Sequence, residues 1–361
     1  MRIAFRVDSS EIIGSGHLLR SLSLAQEFKK NNIESIFFSK KLPGNLNKLI
    51  LDSKFELRIV DTFIDEHKVD KYDHLTWLAG SEEEDADFCI KEFKKNNIDM
   101  VVVDHYGITD YWEKTLSKID LKIFVIDDFT TRKHYCNYFL NQNLGDFKIE
   151  GLLKKKTKKF IGPKYALLSD EFYLQRSIQK KKFDKLRILI NFGGVDKENL
   201  TYELLDSLQD SQYIDGANIC VVLGPGFNYE KSIIDLKKKS NFQFTVQKDP
   251  KEFFKLISES NLFIGGCGST SWERCCLSTP SLVVSQSPNQ DNIFRELIKN
   301  NLAFGIVHPF SANDIDNKIR ELIKCDYKLL KVLSRNSFEQ CDGQGCSRIV
   351  KFIIDNIDEK S

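Results

Sequence analysis

The sequence predicts an α/β protein made of two Rossmann-like domains facing across a cleft, and three features lead there. Short β-branched and aromatic runs alternate with longer amphipathic stretches; the length of 361 residues exceeds what one hydrophobic core usually serves; and both halves open on a strand that runs into a glycine-containing turn. In the first half the runs at 3–7, 35–38, 100–103 and 123–126 read as strands, and 18–29 and 85–95 carry helical periodicity. After Gln142 the alternation breaks into a Lys-rich stretch. It resumes with strand-like runs at 187–192, 219–223, 242–246, 262–264 and 281–284. The expected division is therefore an amino-terminal domain at 1–165, a linker at 166–184 and a carboxyl-terminal domain at 185–361. In doubly wound sheets ligands bind outside the carboxyl ends of the strands, so the loops after Val7, Val103, Ile126, Phe192 and Ile264 are expected to line the site.

Composition narrows the partners. Formal net charge is +1 and 41% of the residues are apolar, so no one-signed field draws the chain to nucleic acid or to an anionic membrane, and a small-molecule ligand is expected instead. The Lys clusters at 154–159 and 180–182 lack interleaved aromatics and read as solvated surface. MRIAFRVD enters a strand directly, without the order of a signal peptide, and no apolar run reaches the ~20 residues of a bilayer span, so a cytoplasmic protein is expected. Nine Cys, several in apolar segments, read as reduced and buried, and without a CxxC pair they suggest no zinc site. No cofactor or metal is expected.

Four constellations can carry chemistry. Gly14-Ser15-Gly16-His17 follows the first strand and precedes the helical run LLRSLSLAQEF; the glycines allow close backbone approach, and the helix start favours both an anion and a neutral imidazole, the form a general base needs. A His at a helix start also serves as a plain cap, and the residues alone leave both roles open. Gly265-Gly266-Cys267-Gly268-Ser269-Thr270-Ser271-Trp272-Glu273 enters from a strand and leaves as a helix. Its glycines and hydroxyls make a nest of donors for a diphosphate, with Glu273 placed to accept ribose hydroxyls. The segment lacks the Lys-Ser/Thr ending of a P-loop, and a tight packing turn is its plainer alternative. Asn289 and Gln290, in a loop after the strand at 281–284, offer amides suited to sugar hydroxyls and acetamido groups, though Asn near Pro also makes ordinary turns. Asp104, His105 and Tyr106, and the pair Asp127-Asp128, stand at strand ends where they can face substrate or cap the next helix.

Taken together, IGSGHLLRSLSLA, LPGN, WLAGSEEEDA, VVDHYGITDYWE, IDDFTTRKHYCNYFLNQN, GPKYALLSDEF, NFGGVDKENLT, GGCGSTSWERCCLSTPSLVV, NQDN and CDGQGCSRI resemble, in order and over nearly the whole chain, the UDP-sugar hydrolases of pseudaminic acid biosynthesis. Those enzymes release 2,4-diacetamido-2,4,6-trideoxy-β-L-altropyranose from its UDP conjugate. The resemblance implies a GT-B glycosyltransferase-like fold and His17 as the catalytic base. It implies that Gly266, Gly268, Ser269, Thr270, Ser271 and Glu273 bind the nucleotide. It places Asn289 and Gln290 near the sugar, and Gly14, Gly16, Asp104, His105 and Tyr106, read from their place at the turn and the strand end, are the other expected substrate contacts. The pattern departs at Phe129 and Thr130, where smaller aliphatic residues are expected, and at Ser169, where a basic residue is expected. A GT-B transferase acting on a UDP-N-acetylhexosamine, a hydrolysing 2-epimerase and a non-catalytic UDP-sugar sensor are the alternatives.

Overall fold

Alternating apolar side chains make β1 (Arg2–Val7) the spine of the first sheet: Ile3, Phe5 and Val7 point into one buried layer and Ala4 into the other, the period-two pattern of a strand covered on both faces. The structure, a computed structural model, describes residues 1–65, 69, 70, 73–145, 147, 149–178, 181–286 and 290–356. It divides into two units, Met1–Leu167 with Gln344–Ser361, and Leu168–Gly343.

In the first unit α1 (Gly16–Lys30), β2 (Glu34–Ser39), α2 (Asn47–Asp52), β3 (Glu56–Ile59), α3 (Glu82–Lys95), β4 (Met100–Asp104), α4 (Asp110–Leu116), β5 (Lys122–Ile126), β6 (Tyr138–Asn141) and β7 (Lys158–Ile161) follow β1. The sheet is parallel throughout, in the order β3-β2-β1-β4-β5-β6-β7. Helix α1 buries Leu18, Leu24, Ala25 and Phe28 along one stripe and ends on Lys29 and Lys30, which suit the negative end of its dipole. Helix α3 starts on Ser81, whose hydroxyl accepts from the Glu83 and Glu84 N–H groups at 3.2 and 3.5 Å, and carries four acids in its first turn.

The second unit runs α5 (Asp170–Ile178), β8 (Arg187–Asn191), α6 (Leu200–Ser207), β9 (Asn218–Leu223), α7 (Glu230–Lys239), β10 (Phe244–Lys248), α8 (Phe253–Glu259), β11 (Leu262–Gly266), α9 (Thr270–Cys276), β12 (Ser281–Val284), α10 (Asp291–Lys299), β13 (Phe304–Ile306) and α11 (Ala312–Gln340). Its sheet is parallel in the order β10-β9-β8-β11-β12-β13. Both orders reverse beside the first strand of their unit. The carboxyl ends of β1 and β4, and of β8 and β11, therefore flank the two switch points where ligands of such sheets sit.

Two boundaries differ from the expected ones. Residues 166–184 are not all linker: Arg176 on α5 donates to the Cys276 and Cys341 carbonyls at 2.9 and 3.1 Å, and the Gln175 amide donates to the Ser258 hydroxyl at 3.0 Å. The last helix, α12 (Gly345–Asp355), belongs to the first unit, where Ile349, Val350 and Ile353 complete one apolar layer. Its first residue must be glycine, since a Cβ there would lie 2.2 Å from the Ala166 carbonyl oxygen. None of the nine cysteines is joined in a disulfide. Among the described residues no helix is long and apolar enough to cross a membrane.

Candidate functional site

In the first unit the turn between β1 and α1 is built on Ser10, whose hydroxyl accepts from the Ile12 and Ile13 N–H groups at 3.1 and 3.0 Å, and whose carbonyl accepts from Gly14 N–H at 2.8 Å. Gly14 has φ +80°, the left-handed region glycine adopts without strain. Gly16 then opens α1, and His17 lies in its first turn, buried to 8% exposure.

His17 Nδ1 is 2.6 Å from Asp104 Oδ1, at the end of β4. A carboxylate only accepts, so Nδ1 carries the proton, with Arg20 Nη2 also 3.2 Å from it, and in the neutral ring Nε2 is the nitrogen that holds the lone pair. Arg20, one turn along α1, grips the same carboxylate with Nε to Oδ2 and Nη2 to Oδ1, both at 2.6 Å. Its Nη1 reaches Asp128 at 2.7 Å, and Tyr106 donates its hydroxyl to that same Asp128 oxygen at 2.5 Å. Burial raises the Asp104 carboxyl, yet the Arg20 guanidinium and His17 outweigh it and hold the group well below the carboxylate range. Burial raises the Tyr106 phenol well above its usual value, and the Asp128 charge adds to this, so it stays a donor. Aromatic rings surround the imidazole: Tyr106 at 4.4 Å and Trp77 at 6.3 Å, both edge-on, with His74 and Phe129 packed against Tyr106 at 5.5 and 4.8 Å.

His105, one residue beyond Asp104, goes elsewhere. Its Nδ1 accepts from Gly107 N–H at 3.0 Å and its Nε2 lies 3.0 Å from Asp8 Oδ2. Asp8 is held in turn by Arg6, which also pairs with Asp85 at 2.7 Å. Strand alternation sends Asp104 to the α1 side and His105 to the opposite side, so the predicted neighbours do not share a site. His105 is a buried group bracing the carboxyl end of β1. Burial, above all, lowers its pKa.

In the second unit β11 ends in Gly265 because nothing larger fits, a Cβ there lying 1.8 Å from the Asn191 carbonyl oxygen, while at Gly266 a Cβ would have to displace the Gln286 amide, 2.1 Å away. Gly268 and Thr270 are half-buried and Ser269 is exposed where α9 begins. Ser271 is turned inward, its hydroxyl accepting from Arg274 Nη2 at 2.9 Å. Arg274 also donates to the Gly266 carbonyl at 2.8 Å and lies 4.3 Å from the centre of the Phe263 ring. Burial lowers this guanidinium to about 10, and among the described residues it has no ion-pair partner. Glu273 is half-buried, and its carboxyl makes no hydrogen bond among the described residues. Burial pushes it up to about 7, with the Arg274 charge acting the other way. Gln290 reaches the turn: its Oε1 accepts from Gln286 N–H at 3.3 Å, and its Nε2 would be 3.7 Å from a Cβ on Gly268. Asn289 lies outside the described residues.

The structure thus unites His17, Asp104 and Tyr106 in one group and gathers Gly266, Gly268, Ser269, Thr270, Glu273 and Gln290 around one turn. Sequence reasoning missed Arg20, His74 and Trp77. For Arg20 the signal was its spacing of three from His17, which puts both on one helix face; His74 and Trp77 sit on a short 3-10 turn without periodicity.

No protein-family model matches the chain. It is 28% identical over 310 residues to an uncharacterized protein of Methanocaldococcus jannaschii, the match taking in 83% of this chain and 58% of that one, so the chain spans only part of that relative. It is 27% identical over 305 residues to the UDP-2,4-diacetamido-2,4,6-trideoxy-β-L-altropyranose hydrolase of Campylobacter jejuni, covering 83% of this chain and 97% of the relative. A spore coat polysaccharide biosynthesis protein of Bacillus subtilis is 22% identical over 80% of this chain and 79% of its own. Among solved structures, MurG of Acinetobacter baumannii superposes with a TM-score of 0.69 at 12% identity, covering 98% of this chain and 99% of that one. Staphylococcus aureus MnaA with UDP does so with a TM-score of 0.64 at 13% identity, covering 100% and 98%. The fold is that of the GT-B glycosyltransferases.

Proposed function

We propose that this chain hydrolyses a UDP-linked deoxyamino sugar, of the type UDP-2,4-diacetamido-2,4,6-trideoxy-β-L-altropyranose, to the free sugar and UDP. The observation that carries the reading is the His17 imidazole, whose Nδ1 is held by Asp104, so that in the neutral ring Nε2 is left to act as the base. In this role Nε2 takes a proton from water as the oxygen attacks the anomeric carbon, and Asp104, itself locked by Arg20, compensates the imidazolium that forms. One base suffices. A sugar alkoxide would need an acid to leave, but UDP departs as a phosphate whose last pKa is about 6, so inversion with electrostatic support replaces proton donation.

The nucleotide end is assigned to the second unit. Gly268, Ser269 and Thr270 offer exposed backbone and hydroxyl donors to the diphosphate with Gly266 buried behind them, the Arg274 charge, without an ion-pair partner among the described residues, lies beneath the same turn, and the Glu273 carboxyl is placed to accept ribose hydroxyls. The resemblance of the sequence to the Campylobacter jejuni hydrolase supports the substrate class.

A proton NMR time course with this UDP-sugar alone tests the reading. Steady release of free sugar of unchanged C2 configuration, first as the inverted anomer, is the expected result. Dependence on an added acceptor would make the protein a transferase; inversion at C2 would make it an epimerase; stoichiometric binding without turnover would make it a sensor.

A further inference from the structure

A third buried imidazole, His134, is built into the loop that presents Asp128 to the His17 group. Its Nδ1 is 2.7 Å from Glu113 Oε1 on α4 and its Nε2 is 3.0 Å from Asp127 Oδ2 at the end of β5. Two carboxylates that only accept, one on each ring nitrogen, call for an imidazole with both nitrogens protonated. Burial raises the Glu113 carboxyl while His134 and the Tyr135 N–H act the other way, and the Cys136 thiol and the Glu82 carboxyl lie near the same group. Arg132, on the same loop, pairs with Asp127 at 3.3 Å and lies 5.9 Å from the centre of the Phe129 ring; β6 contributes the apolar Phe139 ring at 5.4 Å. The segment that pairs with His134 carries Leu152, whose carbonyl accepts from His134 N–H at 2.9 Å, and Lys154, whose ammonium lies over the Tyr135 ring. With His134 charged, this cluster of two acids, one Arg and one His is neutral, which is how buried charges are tolerated.

The clamp reaches the site through Asp127. The other oxygen of that carboxylate accepts from Phe129 N–H at 2.8 Å, which fixes the turn at Asp128. From this turn Asp128 meets Arg20 and Tyr106, accepts from the Asn143 amide at 2.9 Å, and Phe129 packs on Tyr106. We propose that His134 is a positioning residue: held between Glu113 and Asp127, it sets the loop that presents Asp128 and Phe129, and through Arg20 keeps the Asp104–His17 pair in working geometry. The proposal rests on the reading of His17 as the base. Burial lowers the His134 pKa and the two carboxylates overcome it, raising it to about 9, so the clamp holds at neutral pH and loosens only in alkali.

The test uses the full chain, with His134→Gln, Glu113→Gln and His17→Ala beside the wild type, and thermal melts to establish folding. In His134→Gln, kcat is expected to fall by about 10²-fold with KM and UDP affinity within about twofold, because misplaced catalytic groups cost chemistry rather than nucleotide binding. In Glu113→Gln the alkaline limb of the kcat profile is expected to move to lower pH, since one of the two carboxylates that hold the proton is gone. Near wild-type kcat in His134→Gln, or coincident alkaline limbs in the wild type and Glu113→Gln, overturns the proposal; if His134→Gln does not fold, the limb decides. Should His17→Ala keep its turnover, the base reading falls by itself. The imidazole 15N signals of His17 in His134→Gln then decide: shifted signals uphold positioning, unchanged ones overturn it.

Discussion

At the switch point of the first unit, between β1 and β4, the side chains are charged and already bonded to one another: His17 to Asp104, Arg20 to Asp104 and Asp128, Arg6 to Asp8 and Asp85. At that of the second, between β8 and β11, the chain is largely glycine, and the ionisable groups, Glu273 and Arg274, have no ion-pair partner among the described residues. Both sheets count the same strand order outward from their first strand. One order thus supports two chemistries. A preformed network of opposite charges holds an imidazole in one orientation and suits proton transfer, whereas backbone bared by glycine beside unmatched polar groups is stable only if water or a ligand completes it.

The sharpest way to break this contrast is His17→Ala. On the proposed reading it lowers turnover by about 10² to 10⁴-fold, the usual worth of a general base, while UDP affinity measured by calorimetry stays nearly unchanged. Equal losses in both would mean that the two regions do not divide the work. Next comes Gly265→Ala. Its Cβ would meet the Asn191 carbonyl oxygen at 1.8 Å, so the variant should lose about 1–3 kcal/mol in urea unfolding, and with it UDP binding, as the turn is pushed off the sheet.

A smaller effect is expected at Glu273. Glu273→Gln should weaken uridine binding by about tenfold, the cost of one charge-assisted hydrogen bond. Because burial holds the carboxyl at about 7 in the free protein, wild-type affinity for uridine, which has no phosphate to titrate, should rise as pH goes from 6 to 8 and be flat in the variant. A flat wild-type curve would remove Glu273 from the site.

The last prediction concerns stability. The folded-state value of His134, about 9, lies above the ordinary histidine value, so its contribution is complete below pH ~6.5 and is lost as pH rises through about 9. The unfolding free energy of the wild type, read in urea, should therefore decline across this window by more than that of His134→Gln, at a rate of at most about 1.4 kcal/mol per pH unit.

Much of this was legible along the chain. The strands at 3–7, 100–103 and 187–192 are marked by apolar runs that need both faces covered, and the glycine turn at 265–268 announces itself because only glycine tolerates backbone approach from the neighbouring strand. His17 at a helix start after a strand was visible for the same local reason. The short strands β3, β6, β7 and β13 escaped notice, being three or four residues long and, at Lys158 and Lys159, disguised by charge.

What the sequence by itself determined is everything carried by neighbours in the chain: the two α/β halves, the parallel sheets, and the residue types at each strand end. Tertiary structure alone decided which charges meet. It sent Asp104 to His17 and the adjacent His105 to Asp8, turned Ser271 inward beneath Arg274, returned α12 to the first unit, and clamped His134 between residues seven and twenty-one positions away. The physical reason is that periodicity records which side of an element is buried, while an ion pair depends on the register between separate elements, which only the packed sheet sets.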